Sequence, residues 1–233
     1  MAKLKRLLAP AYWKTPKKGV KWTVSPRPGP HKKAECIPLQ IIARDVLKLV
    51  ETGEEAKTII NKGEMLVDGK IKKDHAFPVG LMDVVSIPKI KKYYRILPSE
   101  KGLELKEISE KEASQKICRI DNKTLVRKRR LQLNLHDGRN LLVEKDSYKT
   151  GDSILIELPS QKILEHLKLG KGNLGLVTKG KNSGKTAMIK EVITTKGREP
   201  NKVICKLENE EVEVRKDHIF VVGRERPVIK IGE

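Results

Sequence analysis

The stretch Gly180-Lys181-Asn182-Ser183-Gly184-Lys185-Thr186 is where this sequence comes nearest to a nucleotide-binding motif. A phosphate-cradling loop needs G-x-x-x-x-G-K-[ST] opening a helix whose free amides hold the anion. Position 179 is Lys rather than Gly, so the spacing is one residue short. Ala187 to Ile193 also reads as a strand, not a helix, and nucleotide binding is not expected. Cys36, Cys118 and Cys205 are scattered and form no CxxC knuckle, and His31, His75, His136, His166 and His218 form no HxH or HxxxH pair. No metal or other cofactor is therefore expected. No Ser/His/Asp order emerges, Glu210-Glu211 reads as a hairpin edge rather than an acid/base pair, and the chain is not expected to be an enzyme.

The chemistry that remains is cationic. Fifty Lys+Arg against 30 Asp+Glu give a net charge of +20 over 233 residues, which favours a polyanionic partner. Nearly half of it, +9, lies in residues 1–36, where Glu35 is the sole acid. Five of the 12 prolines and both tryptophans lie there too. In this arm Lys3, Lys5, Arg6, Lys14, Lys17, Lys18, Lys21, Arg27, His31 and Lys32 are candidates to neutralise phosphates. Tyr12, Trp13 and Trp22 are candidates to stack on bases. The arm has no hydrophobic period and proline blocks a continuous helix or central strand, so it is expected to order only on its partner. Nothing approaches the roughly 20 apolar residues of a membrane span, and the N-terminus does not read as a secretory signal. Scattered cysteines fit a reducing compartment, so the expectation is a soluble intracellular protein.

Three further segments must position the remaining cations. In 37–92, the stripe Leu39, Ile42, Ala43, Val46, Leu47 and Val50 predicts a helix with Gln40, Arg44, Lys48 and Glu51 on its opposite face. Thr52-Gly53-Glu54-Glu55 is a capping-box pattern opening a second helix that Gly63 ends. Met65-Leu66-Val67, Asp68-Gly69 and Lys70-Ile71 predict a hairpin, and Val84 to Ile87 a strand. In 93–170, Leu131, Leu133 and Leu135 alternate with polar residues before the turn at His136–Asn140, and Ile154 to Leu158 predicts another strand. In 171–233, five short strands are expected at 174–178, 187–194, 202–207, 211–214 and 218–222, a pattern that suggests a small SH3-like barrel.

Two of these segments resemble known modules. Leu39, Leu47, Ala56, Ile59, Gly63, Val67, Gly69, Gly80 and Asp83 match the "S-four" RNA-binding module. That resemblance implies RNA contact by Arg44, Lys48, Lys57, Lys62, Lys70 and Lys72. Gly172 to Val177, then Asn182-Ser183-Gly184-Lys185 and Ile189, resemble a KOW motif, with Ala187 where that family usually has glycine. It implies phosphate contact by Lys171, Lys179, Lys181 and Lys185. The run Arg127-Lys128-Arg129-Arg130 and the connecting Lys91 and Arg95 invite the same reading.

Taken in order, the whole chain resembles the S-four-e family of small-subunit ribosomal proteins, in its archaeal form. Leu7-Leu8-Ala9-Pro10, Trp13, Lys21-Trp22, Pro28-Gly29-Pro30-His31 and the terminal His218 to Gly223 carry the match. The implied fold class is α+β, mostly β, in four parts: a basic extension (1–36), an S-four-type module (37–92), a central β domain (93–170) and a KOW barrel (171–233). The implied function is a structural, non-catalytic component of the cytoplasmic ribosome. Its partners would be small-subunit rRNA and neighbouring small-subunit proteins, with no membrane and no small-molecule substrate. The competing readings are an RNA-modifying enzyme of the pseudouridine-synthase kind, which would need a large separate catalytic domain, and a KOW-containing elongation or RNA-chaperone factor.

Overall fold

From Lys3 onward the arm is folded. In this computed structural model, which describes residues 3–126, 130–195, 197, 199–207 and 210–231, β1 (Lys3–Lys5) pairs antiparallel with β2 (Trp22–Val24). Tight 3-10 turns at Arg6–Leu8 and Ala11–Trp13 fill the interval. Proline prevents a long ladder, but turns of three residues need none, and one large aromatic supplies the missing core. Trp13 is fully buried and donates its indole N–H to the Cys36 carbonyl at 2.8 Å. It shares one apolar cluster with Leu39, Ile42, Ile60 and Val85, so the expectation of an arm that orders only on a partner is overturned. Thr15 Oγ1 donates to Asp45 (2.8 Å), which tightens the attachment, and Lys17 Nζ to the Ala9 carbonyl (2.6 Å), which braces the arm internally.

The chain continues through β3 (Cys36–Pro38) into α1 (Leu39–Ile41), which widens into a π-turn over Ile42–Val46. The expected helix to Val50 thus stops at Leu47, where the Leu47 amide reaches back five residues to Ile42, and Lys48 turns left-handed (φ 51°). Gln40, expected on the solvent face, is buried with its amide donating to the Gly53 carbonyl at 2.9 Å. α2 (Gly53–Asn61) starts as expected: Thr52 Oγ1 accepts from the Glu55 amide, and the Glu55 carboxylate accepts from the Thr52 amide. The hairpin β4 (Leu66–Val67) to β5 (Lys70–Ile71) turns through Asp68 and Gly69, both at positive φ, the signature of a type I′ turn.

Next, β6 (Pro78–Gly80) pairs with β3, and β7 (Val84–Ile87), β8 (Lys92–Ser99) and β9 (Gly102–Ile108) complete a sheet ordered β5-β4-β7-β8-β9. α3 (Glu110–Ala113) follows, its own capping box built from Ser109 and Glu112. Because β8 pairs with β7, Val84 opposite Arg95, the boundary expected between 92 and 93 falls inside the first folded unit. Two compact units result: residues 1–97 with 101–114, and residues 98–100 with 115–233.

The second unit holds two five-stranded antiparallel sheets. In the first, β10 (Gln115–Val126), β11 (Arg130–Leu135), β12 (Asn140–Val143), β13 (Ser153–Glu157) and β14 (Ile163–Leu167) lie in the order β12-β11-β10-β13-β14. β10 changes partner midway, pairing with β13 up to Arg119 and with β11 from Ile120. The buried ion pair Lys116–Asp137 (2.8 Å) sits near this handover, and Arg139 approaches the same carboxylate at 3.3 Å. Burial opposes the charged carboxylate, yet the Lys116 ammonium, with His136 and Arg139, holds Asp137 well below the usual range.

In the other sheet, β15 (Leu174–Val177), β16 (Thr186–Ile193), β17 (Lys202–Leu207), β18 (Glu210–Arg215) and β19 (Ile219–Gly223) are ordered β18-β17-β16-β15-β19. The fold is mostly β with few short helices. Among the described residues no helix is long and apolar enough to cross a membrane.

Candidate nucleic-acid interface

The structure divides the expected contact residues into three groups: those open to a partner, those already engaged, and those outside the described residues. Arg127, Lys128 and Arg129 are in the last group. Arg130 begins β11 and is exposed. Of Lys3 only the backbone is described, in β1.

In the arm, Lys5, Lys18, Lys21 and Lys32 are exposed and have no acidic partner among the described residues. Lys21 Nζ lies over the Trp22 ring, 5.3 Å from its centroid. Lys14 reaches Glu104 at 3.7 Å and Arg27 reaches Asp74 at 3.3 Å, both with guanidinium or ammonium still in solvent. Arg6 and Lys17 turn inward: Arg6 donates to the Pro16 carbonyl, and Lys17 to Ala9. They shape the arm more than they face outward.

The three aromatics differ. Trp22 is 40% exposed, while Trp13 has no exposed surface, so base stacking by Trp13 is ruled out by its place in the core. Tyr12 is half-buried, donates its hydroxyl to the Ala34 carbonyl at 2.9 Å, and burial pushes its phenol up to about 12. It packs against Gly102, where a Cβ would come within 2.7 Å of its ring. His31 is likewise a structural residue: its imidazole meets Asp83 at 2.9 Å with only 6% of the side chain exposed. Asp83 also accepts the Gly80 amide at 2.9 Å, so this one carboxylate ties arm and sheet.

In the segment expected to contact RNA through its helix pair, Arg44 grips Asp45 in two hydrogen bonds of 2.7 and 2.9 Å, and that contact raises its pKa. Lys57 pairs with Glu54 at 2.6 Å, and Lys72 lies over the Phe77 ring at 4.6 Å. Lys48, Lys62, Lys70 and Lys91 stay exposed. Gly63 packs on Ile71 and Lys89 reaches Glu64, and Lys62 sits at the C-terminal end of α2, where the helix dipole also favours cations. Arg95 is fully buried, and burial lowers its pKa to about 10, which removes it from the contact surface.

In the C-terminal sheet, Lys171, Lys179, Lys181 and Lys185 are exposed, but they do not form one cluster. Lys171 precedes β15 and the other three follow it, so the strand separates them. The turn carrying Lys179, Lys181 and Lys185 spends its amides internally: Ser183 on Gly180, Gly184 on Val177 and Lys185 on Asn182. With those donors occupied and a strand following, it cannot cradle a nucleotide phosphate. Lys33 and Lys73, absent from the expected set, are equally exposed. Their only sequence signal is a neighbouring lysine.

The cations left in solvent are thus dispersed over strands and turns rather than gathered in one cluster. Comparison with known proteins gives this surface a family. Residues 90–163 match the Ribosomal family S4e, and residues 2–34 match the RS4NT domain. "Small ribosomal subunit protein eS4" of Archaeoglobus fulgidus is 47% identical over 98% of this chain and 97% of that relative. The protein of the same name from Methanothermobacter thermautotrophicus is 44% identical over 98% and 95%. The crystal structure of 30S ribosomal protein S4e from Thermoplasma acidophilum superimposes with a TM-score of 0.71 at 31% identity, covering 82% of this chain and 96% of that one. Near-complete coverage in both directions defines a ribosomal protein rather than a borrowed module. The chain belongs to the S4e family of ribosomal proteins.

Proposed function

We propose that the protein is a structural component of the small ribosomal subunit that binds rRNA mainly through phosphate and sugar. The observation that carries this reading is the folded arm, which holds Lys5, Lys18, Lys21 and Lys32 in solvent with no acid before Glu35. An ordered cationic surface has already lost much of the conformational freedom that binding would otherwise remove. The helix pair with its hairpin acts as an S-four-type RNA-binding module, and residues 171–233 act as a KOW-type module. Membership of a non-enzymatic family and the internal use of the Ser183, Gly184 and Lys185 amides support the absence of catalysis. Its place of action is the ribosome in the cytoplasm.

The test is co-sedimentation with the small subunit through a high-salt wash, together with rRNA affinity measured against salt. If about eight phosphates are neutralised, log affinity falls against log salt with a slope of roughly −6 to −7. A salt-independent affinity, or loss from the subunit in the wash, would overturn the reading.

A further inference from the structure

The arm carries an apolar surface that phosphate binding does not explain. Leu7 and Leu8 are 76% and 71% exposed, and Val20 is 64% exposed. Lys5 pairs with Trp22 across the β1–β2 ribbon, and the Arg6 amide donates to the Lys21 carbonyl at 2.9 Å. Leu7 and Val20 are the next residues beyond that last bond, on the loop side of the ribbon, where Arg6–Leu8 is a 3-10 turn. Leu7, Leu8 and Val20 thus lie exposed in the loop that joins the two strands, and Trp22, 40% exposed, begins the second strand. The turn holding them is fixed from behind by Lys17 Nζ on the Ala9 carbonyl and by Arg6 on Pro16, so their exposure is built into the local fold. Lys5, Lys18 and Lys21 are exposed on the same arm, and no acid occurs before Glu35.

An apolar centre inside a charged rim is the anatomy of a protein–protein contact. RNA offers sugar and phosphate to such a surface, and neither repays the burial of leucine. A base could enter only by stacking on Trp22, and the Lys21 ammonium already covers a face of that ring. An acid there would instead gain both the cation and the apolar floor.

We propose that Leu7, Leu8, Val20 and Trp22 form a docking surface for an apolar segment with acidic flanks, belonging to a neighbouring protein of the small subunit. The inference rests on the ribosomal reading for where the partner is found.

The test places a photoreactive benzophenone side chain at position 7 or 8 of the full-length protein and irradiates assembled, salt-washed small subunits. The expected product is a crosslink that survives ribonuclease and is destroyed by protease outside the labelled chain. A crosslink removed by ribonuclease, or none from either position, overturns the inference while leaving the ribosomal reading intact. Failure of the unlabelled chain to enter subunits overturns both. In parallel, the Leu7→Ser/Leu8→Ser variant is expected to bind isolated small-subunit rRNA with unchanged affinity but to be retained in washed subunits roughly tenfold less well. Equal losses in the two assays would assign these leucines to RNA instead.

Discussion

The arm and the C-terminal sheet are both cationic, but they dispose of their charge differently. In the sheet, positive residues meet acids on other strands: Lys202 pairs with Glu213 on the neighbouring strand, Lys190 reaches Glu211 two strands away, and Arg215 meets Asp217 just beyond the sheet. In the arm no acid precedes Glu35, and Lys5, Lys18, Lys21 and Lys32 meet none from elsewhere among the described residues. Net charge therefore overstates what the sheet offers a polyanion and describes the arm fairly. The two regions also sit in units anchored differently: the arm by a buried indole with Thr15 on Asp45 and His31 on Asp83, the second unit by the buried Lys116–Asp137 ion pair.

The largest test of that difference is Trp13→Ala. Removing a fully buried indole from a core is expected to cost about 3–5 kcal/mol, read as a fall in the urea midpoint of the first unit. Trp22→Ala should change stability by less than about 0.5 kcal/mol. Equal effects would mean that the arm is not held by Trp13.

The second test breaks the other anchor. Lys116→Met leaves Asp137 buried without its main partner and is expected to cost about 3 kcal/mol, most of which Lys116→Met/Asp137→Leu should recover. The pair also sets a pH dependence. Asp137 is held below its unfolded value of about 3.9, so the folded state binds fewer protons there. Its stabilisation is complete at neutral pH and is lost as pH falls below about 4. The wild type should therefore lose stability more steeply between about pH 4 and pH 2 than the double variant. Parallel acid limbs would contradict this.

The third test concerns binding. Replacing Lys5, Lys18 and Lys21 by alanine should reduce the salt slope of rRNA affinity by about 2–3. The smallest effect is expected for Lys190→Ala, whose exposed pair with Glu211 contributes under about 0.5 kcal/mol to stability and nothing to the salt slope. A slope change from Lys190→Ala that matched the arm's would erase the distinction between the two regions.

What could be read from the sequence was local. The capping box at Thr52–Glu55 and the Asp68-Gly69 turn depend on neighbours in the chain, and both are where spacing predicts them. The Leu131/Leu133/Leu135 alternation likewise marks β11. The failures are tertiary. β10 carries the buried Lys116 and β8 the buried Arg95, each interrupting the alternation by which a strand is recognised. Trp13 looked like a stacking group because its core lies outside the arm, in Leu39, Ile60 and Val85. His31 and Arg44 looked like RNA contacts because Asp83 and Asp45, which engage them, are invisible to a count of charge by segment. Exposed lysines were easier to find, since nothing in the fold competes for them.

The pairing of β15 with β19 has a consequence for how the molecule is made. The first unit is made entirely of residues up to 114, so it can form while later residues are still being translated. The C-terminal sheet cannot. Its strand β15 (Leu174–Val177) lacks one neighbour until Ile219–Gly223 is synthesised. The two regions should therefore mature at different times, the arm's surface taking shape on the nascent chain before the C-terminal sheet can close.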